Sequence, residues 1–583
     1  MKVLRGTGAS AGIAIGPAVL FRRRMPLVAG GLSADAIARE TARLAAAVAR
    51  ARRELAGAAK GLEAAAGRDE AGVFEAQALM LDDPELIGRA ERLIQVALCP
   101  AERAIEDAGA EVAAQLESLP DEYLRARAAD VRDVAARVRA VLEGGVHPLA
   151  EIATPSVIVA DELFPSDTAA LDRRNTLGFV TEVGGPTAHA AILARALGIP
   201  AVVGAPGVTS AVSPGETVIV DGTGGTVVVA PGAAVVAAWE EKRQAAATRR
   251  KGLAALRDLP AETVDGHRIE LAANVGSLDD VAEAVDRGAE GVGLFRTEFL
   301  FLRREAAPDE DEQFEVYRRA ATAMQPRPVI VRTLDVGGDE PLPWLGMAHE
   351  DNPFLGLRGL RLCLRYPDVF LTQLRALLRA AVHGHIWIML PMVADAEEVR
   401  AAHRILDEAR SQLSRRGVPQ GPVRVGIMIE IPSAALLADT LLGEVEFASI
   451  GTNDLTQYAL AVDRTNARVA SIADPLHPAV LRLIASVTRA PGRGERWVGV
   501  CGELAGDPVA APLLVGLGVS ELSMTPPVLA EVKAAVRSLS FGEATALADR
   551  ALACRGAAEV RALLAARGFA SPTGAAPLDP APP

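Results

Sequence analysis

His189 stands in the run Gly184-Gly185-Pro186-Thr187-Ala188-His189, ahead of a short alanine-rich segment that Gly198 and Pro200 stop. An apolar strand that ends on two glycines and restarts as a helix capped by Thr187 puts His189 in the first helical turn. There the unpaired backbone N–H groups and the helix dipole favour an anion. An imidazole at such a place can carry a phosphoryl group, and the small neighbours leave room around it. A surface histidine that merely begins a helix is the plainer alternative, and these residues alone leave both open.

A second group of reactive side chains lies far downstream. Glu430 and Asp454 each follow an apolar run, and two such carboxylates converging on one point suit Mg²⁺, which keeps part of its water shell. Arg296 and Arg332 follow two other apolar runs, and their planar guanidiniums match carboxylate and phosphate bidentately. Asn453 adds a neutral donor and acceptor beside Asp454, while Arg464 reads as a solvated arginine. Structural ion pairs along a charged rim would use the same residues. Cys501, in Gly499-Val500-Cys501-Gly502-Glu503, is the kind of strand-end cysteine that is more often a small buried hydrophobe. Facing a polar pocket, it can act as a proton donor.

The elements that position these groups follow from the pattern. Eight short apolar runs (268–273, 291–295, 329–335, 386–390, 425–430, 447–451, 497–502 and 521–524) alternate with helical segments. That alternation predicts a (β/α)8 barrel, whose chemistry sits beyond the C-terminal ends of its strands. Arg296, Arg332, Glu430, Asp454 and Cys501 all fall there. Upstream, runs at 156–160, 177–183, 201–203, 217–221 and 226–230 read as strands of a smaller α/β domain, and the Gly-rich start as a strand pair. Between the first strands and the rest, 33–142 is Ala/Leu/Arg/Glu-rich with helical period, broken at 61–67, 82–84 and 119–121. The expected organisation is 1–32 with 143–233 as an α/β domain and 33–142 as an inserted all-α subdomain. A stiff helical linker follows at 234–258, then the barrel at 259–545, with a C-terminal helix and a disordered tail in 546–583.

Composition narrows the function classes. The 583 residues are 50% hydrophobic and 23% charged, as in a globular protein of several domains. A net charge of −13 argues against broad nucleic-acid binding. The four cysteines are far apart, which argues against a disulfide framework or zinc site and suits a reducing cytoplasm. No signal peptide and no long apolar span is found, so no membrane insertion is expected.

Taken together, these segments resemble a known family. To the histidine motif are added Gly291-Val292-Gly293-Leu294-Phe295-Arg296-Thr297-Glu298, Asn352-Pro353-Phe354-Leu355-Gly356-Leu357-Arg358, Gly451-Thr452-Asn453-Asp454-Leu455-Thr456-Gln457 and Cys501-Gly502-Glu503-Leu504-Ala505-Gly506-Asp507. In order, from about residue 4 to about residue 560, they resemble enzyme I of the bacterial sugar phosphotransferase system. The resemblance implies that His189 accepts the phosphoryl group of phosphoenolpyruvate through Nε2, with Thr168 hydrogen-bonded to it. It implies that Arg296, Arg332, Asn453 and Arg464 bind phosphoenolpyruvate, with Arg358 a weaker candidate. Glu430 and Asp454 would hold Mg²⁺, and Asp454 would also face substrate. Cys501 would protonate the enolate to give pyruvate. The helical insertion would dock the small histidine-containing phosphocarrier protein, and the barrel would form a homodimer. Pro186, where the family often has a basic residue, and Thr465, where Gly is common, depart from the pattern. Pyruvate,phosphate dikinases share the histidine and the barrel but need an ATP-binding domain. A phosphoenolpyruvate sensor without turnover would not need His189, Glu430, Asp454 and Cys501 together.

Overall fold

The structure, a computed structural model, describes the chain apart from residues 22–32, 34–35, 67–73, 75, 119–121, 145–148, 150–151, 165–166, 168–170, 173, 186–189, 192–193, 196–197, 303, 338–341, 348–349, 467, 491–495 and 568–583. Thr168, His189 and the 571–583 tail therefore lie outside the described residues. The chain divides into two compact units, 1–249 and 250–583.

The first unit holds an eight-stranded sheet in the order β1-β8-β7-β3-β4-β5-β6-β2. Its strands are β1 (Lys2–Arg5), β2 (Thr7–Ser10), β3 (Ile13–Phe21), β4 (Ser156–Ala160), β5 (Thr176–Thr181), β6 (Ala201–Val203), β7 (Thr217–Asp221) and β8 (Thr226–Val229). Strands β3 to β6 run parallel, and valines on both faces bury against helices or neighbouring strands. The first two strands do not pair with each other, contrary to the sequence expectation: β1 joins β8 and β2 joins β6. Glycine makes that divergence possible. A Cβ on Gly6 would lie 2.7 Å from the Val203 carbonyl oxygen, and one on Gly8 would lie 2.5 Å from that of Gly222.

Between the adjacent strands β3 and β4 the chain forms helices Ile37–Ala66, Ile87–Val96, Ala101–Glu117 and Glu122–Leu142. Their apolar faces close over a separate core containing Leu44, Leu55, Phe74, Ile94, Ile105 and Val138. The first helix continues through Gly61 and ends at Ala66, within the break expected at 61–67. Its two interior glycines, Gly57 and Gly61, cost about 1 kcal/mol each relative to alanine, which a helix this long tolerates. The helix Ala233–Ala254 buries none of its residues.

The second unit is a closed, all-parallel barrel of eight strands. They are β9 (Glu270–Val275), β10 (Val292–Phe295), β11 (Val329–Arg332), β12 (Ile386–Leu390), β13 (Arg424–Ile429), β14 (Phe447–Ile450), β15 (Val498–Val500) and β16 (Glu521–Met524). Outward-facing Val, Ile and Leu pack on the helical ring, in one continuous core. Inward-facing Leu294, Ile330, Met389, Met428, Phe447 and Cys501 fill the bore. Below them Trp497 stacks on Phe447 with ring centroids 5.2 Å apart and tilts toward Trp387 at 6.0 Å. The bore is thus a packed core, which leaves the strand ends for chemistry.

On the barrel's outside, Glu310 accepts from Arg375 Nε and Arg379 Nη1 at 2.7 Å each and from Arg416 Nη1 at 2.9 Å. Burial pushes this carboxyl up, but the three guanidiniums outweigh it and hold the pKa at about 2. A depressed carboxylate pKa contributes stability above its unfolded value, lost as pH falls toward the folded one. Glu310→Gln is therefore expected to cost about 1–2 kcal/mol at neutral pH after solvent screening. The deficit should shrink between pH 4.5 and about 2, the ordinary and the folded values. Urea unfolding of both proteins across that range, followed by tryptophan fluorescence, checks it.

Candidate active site at the barrel mouth

Each strand end contributes a side chain because the last inward position of a barrel strand meets no further layer. Arg332 is the last residue of β11, Glu430 follows β13, Cys501 follows β15, and Arg296 follows β10. Asn453 and Asp454 lie in the first turn of helix Thr452–Leu460, directly after β14, where a carboxylate suits the helix dipole.

The centre of the mouth is a lattice of alternating charge. Arg332 Nη2 donates to Glu298 Oε1 at 2.8 Å, and its Nη1 meets Asp335 Oδ2 at 2.8 Å. Arg358 Nη2 donates to the same Asp335 oxygen at 3.0 Å, while its Nη1 reaches Asp454 Oδ1 at 3.2 Å. Arg464 Nη1 lies 3.8 Å from Asp454 Oδ2. Arg358 is only 6% exposed, so this is a buried network rather than a rim of surface pairs. Arg332 Nε is buried and has no protein partner, a donor direction left over for an anion.

Glu430 Oε1 accepts the Met392 N–H at 2.6 Å. Burial, then the facing carboxylates of Asp335 and Asp454, push its pKa up to about 8. Arg332 and Arg358 outweigh burial at Asp335 and pull its carboxyl down. Burial pushes the Cys501 thiol up to about 12, despite the Ser449 hydroxyl beside it. At neutral pH Cys501 therefore keeps its proton.

The family models agree along the chain. Residues 250–541 match the PEP-binding domain of PEP-utilising enzymes, 152–225 their mobile domain, and 5–127 their N-terminal domain. The phosphoenolpyruvate-protein phosphotransferase of Geobacillus stearothermophilus is 45% identical over 562 residues, 96% of this chain and 97% of that protein. The chain belongs to the phosphoenolpyruvate-protein phosphotransferase family, the enzymes I. Its Bacillus subtilis relative is 43% identical over 571 residues, 97% of this chain and 99% of the relative. The Staphylococcus carnosus relative is 44% identical over 566 residues, with 96% and 98% covered.

Within this phosphotransferase, the residues singled out from sequence divide by their contacts. Arg332, Asp454 and Arg464 join one network, and Glu430 and Cys501 lie within its electrostatic reach. Arg296 stands exposed beyond β10. Asn453 turns toward Glu503, accepting its N–H at 3.0 Å and donating Nδ2 to its Oε1 at 3.1 Å. Arg358, a weaker candidate in the resemblance, joins the same network, as do Glu298 and Met392, which carry no role in the sequence pattern. The run Arg296-Thr297-Glu298 held the signal for Glu298, since a carboxylate next to a strand-end arginine invites pairing with a neighbouring strand's arginine. Met392 had none, because what it supplies is a backbone N–H.

The donor set fits a divalent cation. Glu430 and Asp454 offer only hard carboxylate oxygens, and a cation between them would offset the burial and the facing carboxylates that push the Glu430 carboxyl up. A Cβ on Gly451 would come within 3.1 Å of Glu430 Oε2, so glycine there keeps that oxygen uncrowded. No helix among the described residues is long and apolar enough to cross a membrane.

Proposed function

We propose that this enzyme I transfers the phosphoryl group of phosphoenolpyruvate to His189 and then to a histidine of the small phosphocarrier protein. Pyruvate is released, in the first step of phosphotransferase-system sugar uptake. The observation that carries the reading is the buried arginine lattice at the barrel mouth, with an unpartnered Arg332 Nε beside a carboxylate pair and a protonated thiol.

Phosphoryl transfer needs positioning and charge neutralisation more than covalent help. Arg332, with Arg296 and Arg464, binds the carboxylate and phosphate of the substrate, and Asn453 supplies a neutral contact. Arg358 holds Asp335 and Asp454 in place. Glu430 and Asp454 would hold Mg²⁺, which would offset charge on the phosphoryl oxygens and the enolate. Cys501 gives its proton to carbon, and Thr168 orients the His189 ring. In this reading 1–32 with 143–233 form the swivelling domain that delivers His189, while 33–142 dock the carrier. The barrel, 259–545, is the dimer interface, and the enzyme works in the cytoplasm.

Mass spectrometry after incubation with phosphoenolpyruvate and Mg²⁺ tests the core of this. The wild type is expected to gain one phosphoryl group and His189→Ala none. Equal gain in the variant would end the assignment.

A further inference from the structure

Cys501 is tied down by a residue two strands away. In the barrel order β16 stands between β15, which Cys501 follows, and β9, which carries Asn274. Asn274 Nδ2 nevertheless donates to the Cys501 carbonyl at 2.9 Å. Ser523, on the intervening strand and fully buried, donates its hydroxyl to Asn274 Oδ1 at 2.6 Å. The amide can face only one way. A carbonyl accepts and never donates, so the NH₂ end must meet Cys501, and the serine hydroxyl supplies the donor its oxygen needs.

Main-chain pairing explains why a side chain is required. The β15–β16 ladder pairs Gly499 with Glu521 and Val500 with Leu522. The Cys501 N–H still bonds the Ile450 carbonyl on the other side, at 3.1 Å, but its own carbonyl lies past the ladder. Gly502 is pressed on Thr452, whose backbone nitrogen would be 2.6 Å from an added Cβ. The backbone at Cys501 and Gly502 is thus held on both sides, and among the described residues Asn274 is the side chain that bonds the Cys501 carbonyl. The thiol lies 3.8 Å from the Ile450 carbonyl oxygen, so its aim follows from that peptide.

We infer that Asn274, oriented by Ser523, is a positioning residue that aims the Cys501 thiol at one face of the enolate. This rests on the proposed role of Cys501 as proton donor. Once the phosphoryl group has left, the enolate's double-bond pair takes the proton from sulfur. A C–H bond forms at C3 as the S–H bond breaks, C2–O becomes the ketone of pyruvate, and the thiolate regains a proton from water. A displaced thiol would leave the enolate to be protonated by solvent from either face.

The test uses the full-length enzyme, its carrier protein and the (Z)-3-methyl analogue of phosphoenolpyruvate in D₂O. The configuration at C3 of the 2-oxobutyrate is read after trapping by reduction. Wild type is expected to give one configuration. Asn274→Ala should give a mixture and lower kcat about tenfold, the scale of one lost hydrogen bond, with KM unchanged. Ser523→Ala should move the same way by less, and Asn274→Ala should add nothing in a Cys501→Ala background. Phosphorylation of the enzyme, followed by mass, should persist in Asn274→Ala and Ser523→Ala. A single configuration and wild-type kcat in both Asn274→Ala and Ser523→Ala would overturn the inference while Cys501→Ala gives a mixture. A single configuration from Cys501→Ala would instead remove Cys501 as donor, and this inference with it.

Discussion

Arg332→Met is expected to lower kcat/KM for phosphoenolpyruvate at least about a thousandfold, the cost of removing a preorganised charge from a water-poor site. Arg332 joins Glu298 and Asp335 through its two Nη atoms and keeps Nε unpartnered. Methionine fills the stem volume but leaves those carboxylates facing the substrate's own negative charge. Arg332→Lys restores the charge as a point on a flexible stem and cannot hold both carboxylates and the ligand in one plane, so it should recover only part of the loss. Coupling pyruvate release to lactate dehydrogenase measures both. An Arg332→Met enzyme within about tenfold of wild type, a difference of only about 1.4 kcal/mol in transition-state stabilisation, would remove Arg332 from the substrate site.

Arg358→Met is expected to destabilise the barrel by about 3–5 kcal/mol, because breaking a buried pair strands its partner charges. Arg358 is shared between Asp335 and Asp454, and its Nη1 also approaches the Tyr458 hydroxyl at 3.4 Å. Without it, Asp335, Asp454 and Glu430 face one another with less compensation. Asp335→Asn in the same chain removes one of those charges and should return part of the stability, since the two sites are coupled. Guanidinium unfolding followed by the fluorescence of Trp387 and Trp497, both in the barrel bore, reports on this unit directly. A midpoint unchanged from wild type would show that solvent already screens the lattice.

The first expectation concerns a residue whose position, but not whose partners, could be read from sequence. The alternation of apolar runs with helical segments places Arg332, Glu430 and Cys501 at strand ends, because parallel strands buried on both faces are predominantly apolar until they leave the barrel. The run at 386–390 coincides with β12, Ile386–Leu390, and that at 521–524 with β16, Glu521–Met524. The weaker expectation was the one that rested on glycine alone. The glycines near the N-terminus separate β1 from β2 instead of turning them into a hairpin.

By itself, then, the sequence determined the eightfold barrel, the helical segment set between strands, and the types of residue carried to the strand ends. These follow from periodicity and from local turn chemistry, which act over a few residues. Only the tertiary structure decided that Arg358 bridges Asp335 and Asp454, that Asn453 turns to Glu503, and that Asn274 reaches across β16 to the Cys501 carbonyl. Such partners come together through barrel closure and strand register, and neither leaves a trace in the spacing of residues along one chain.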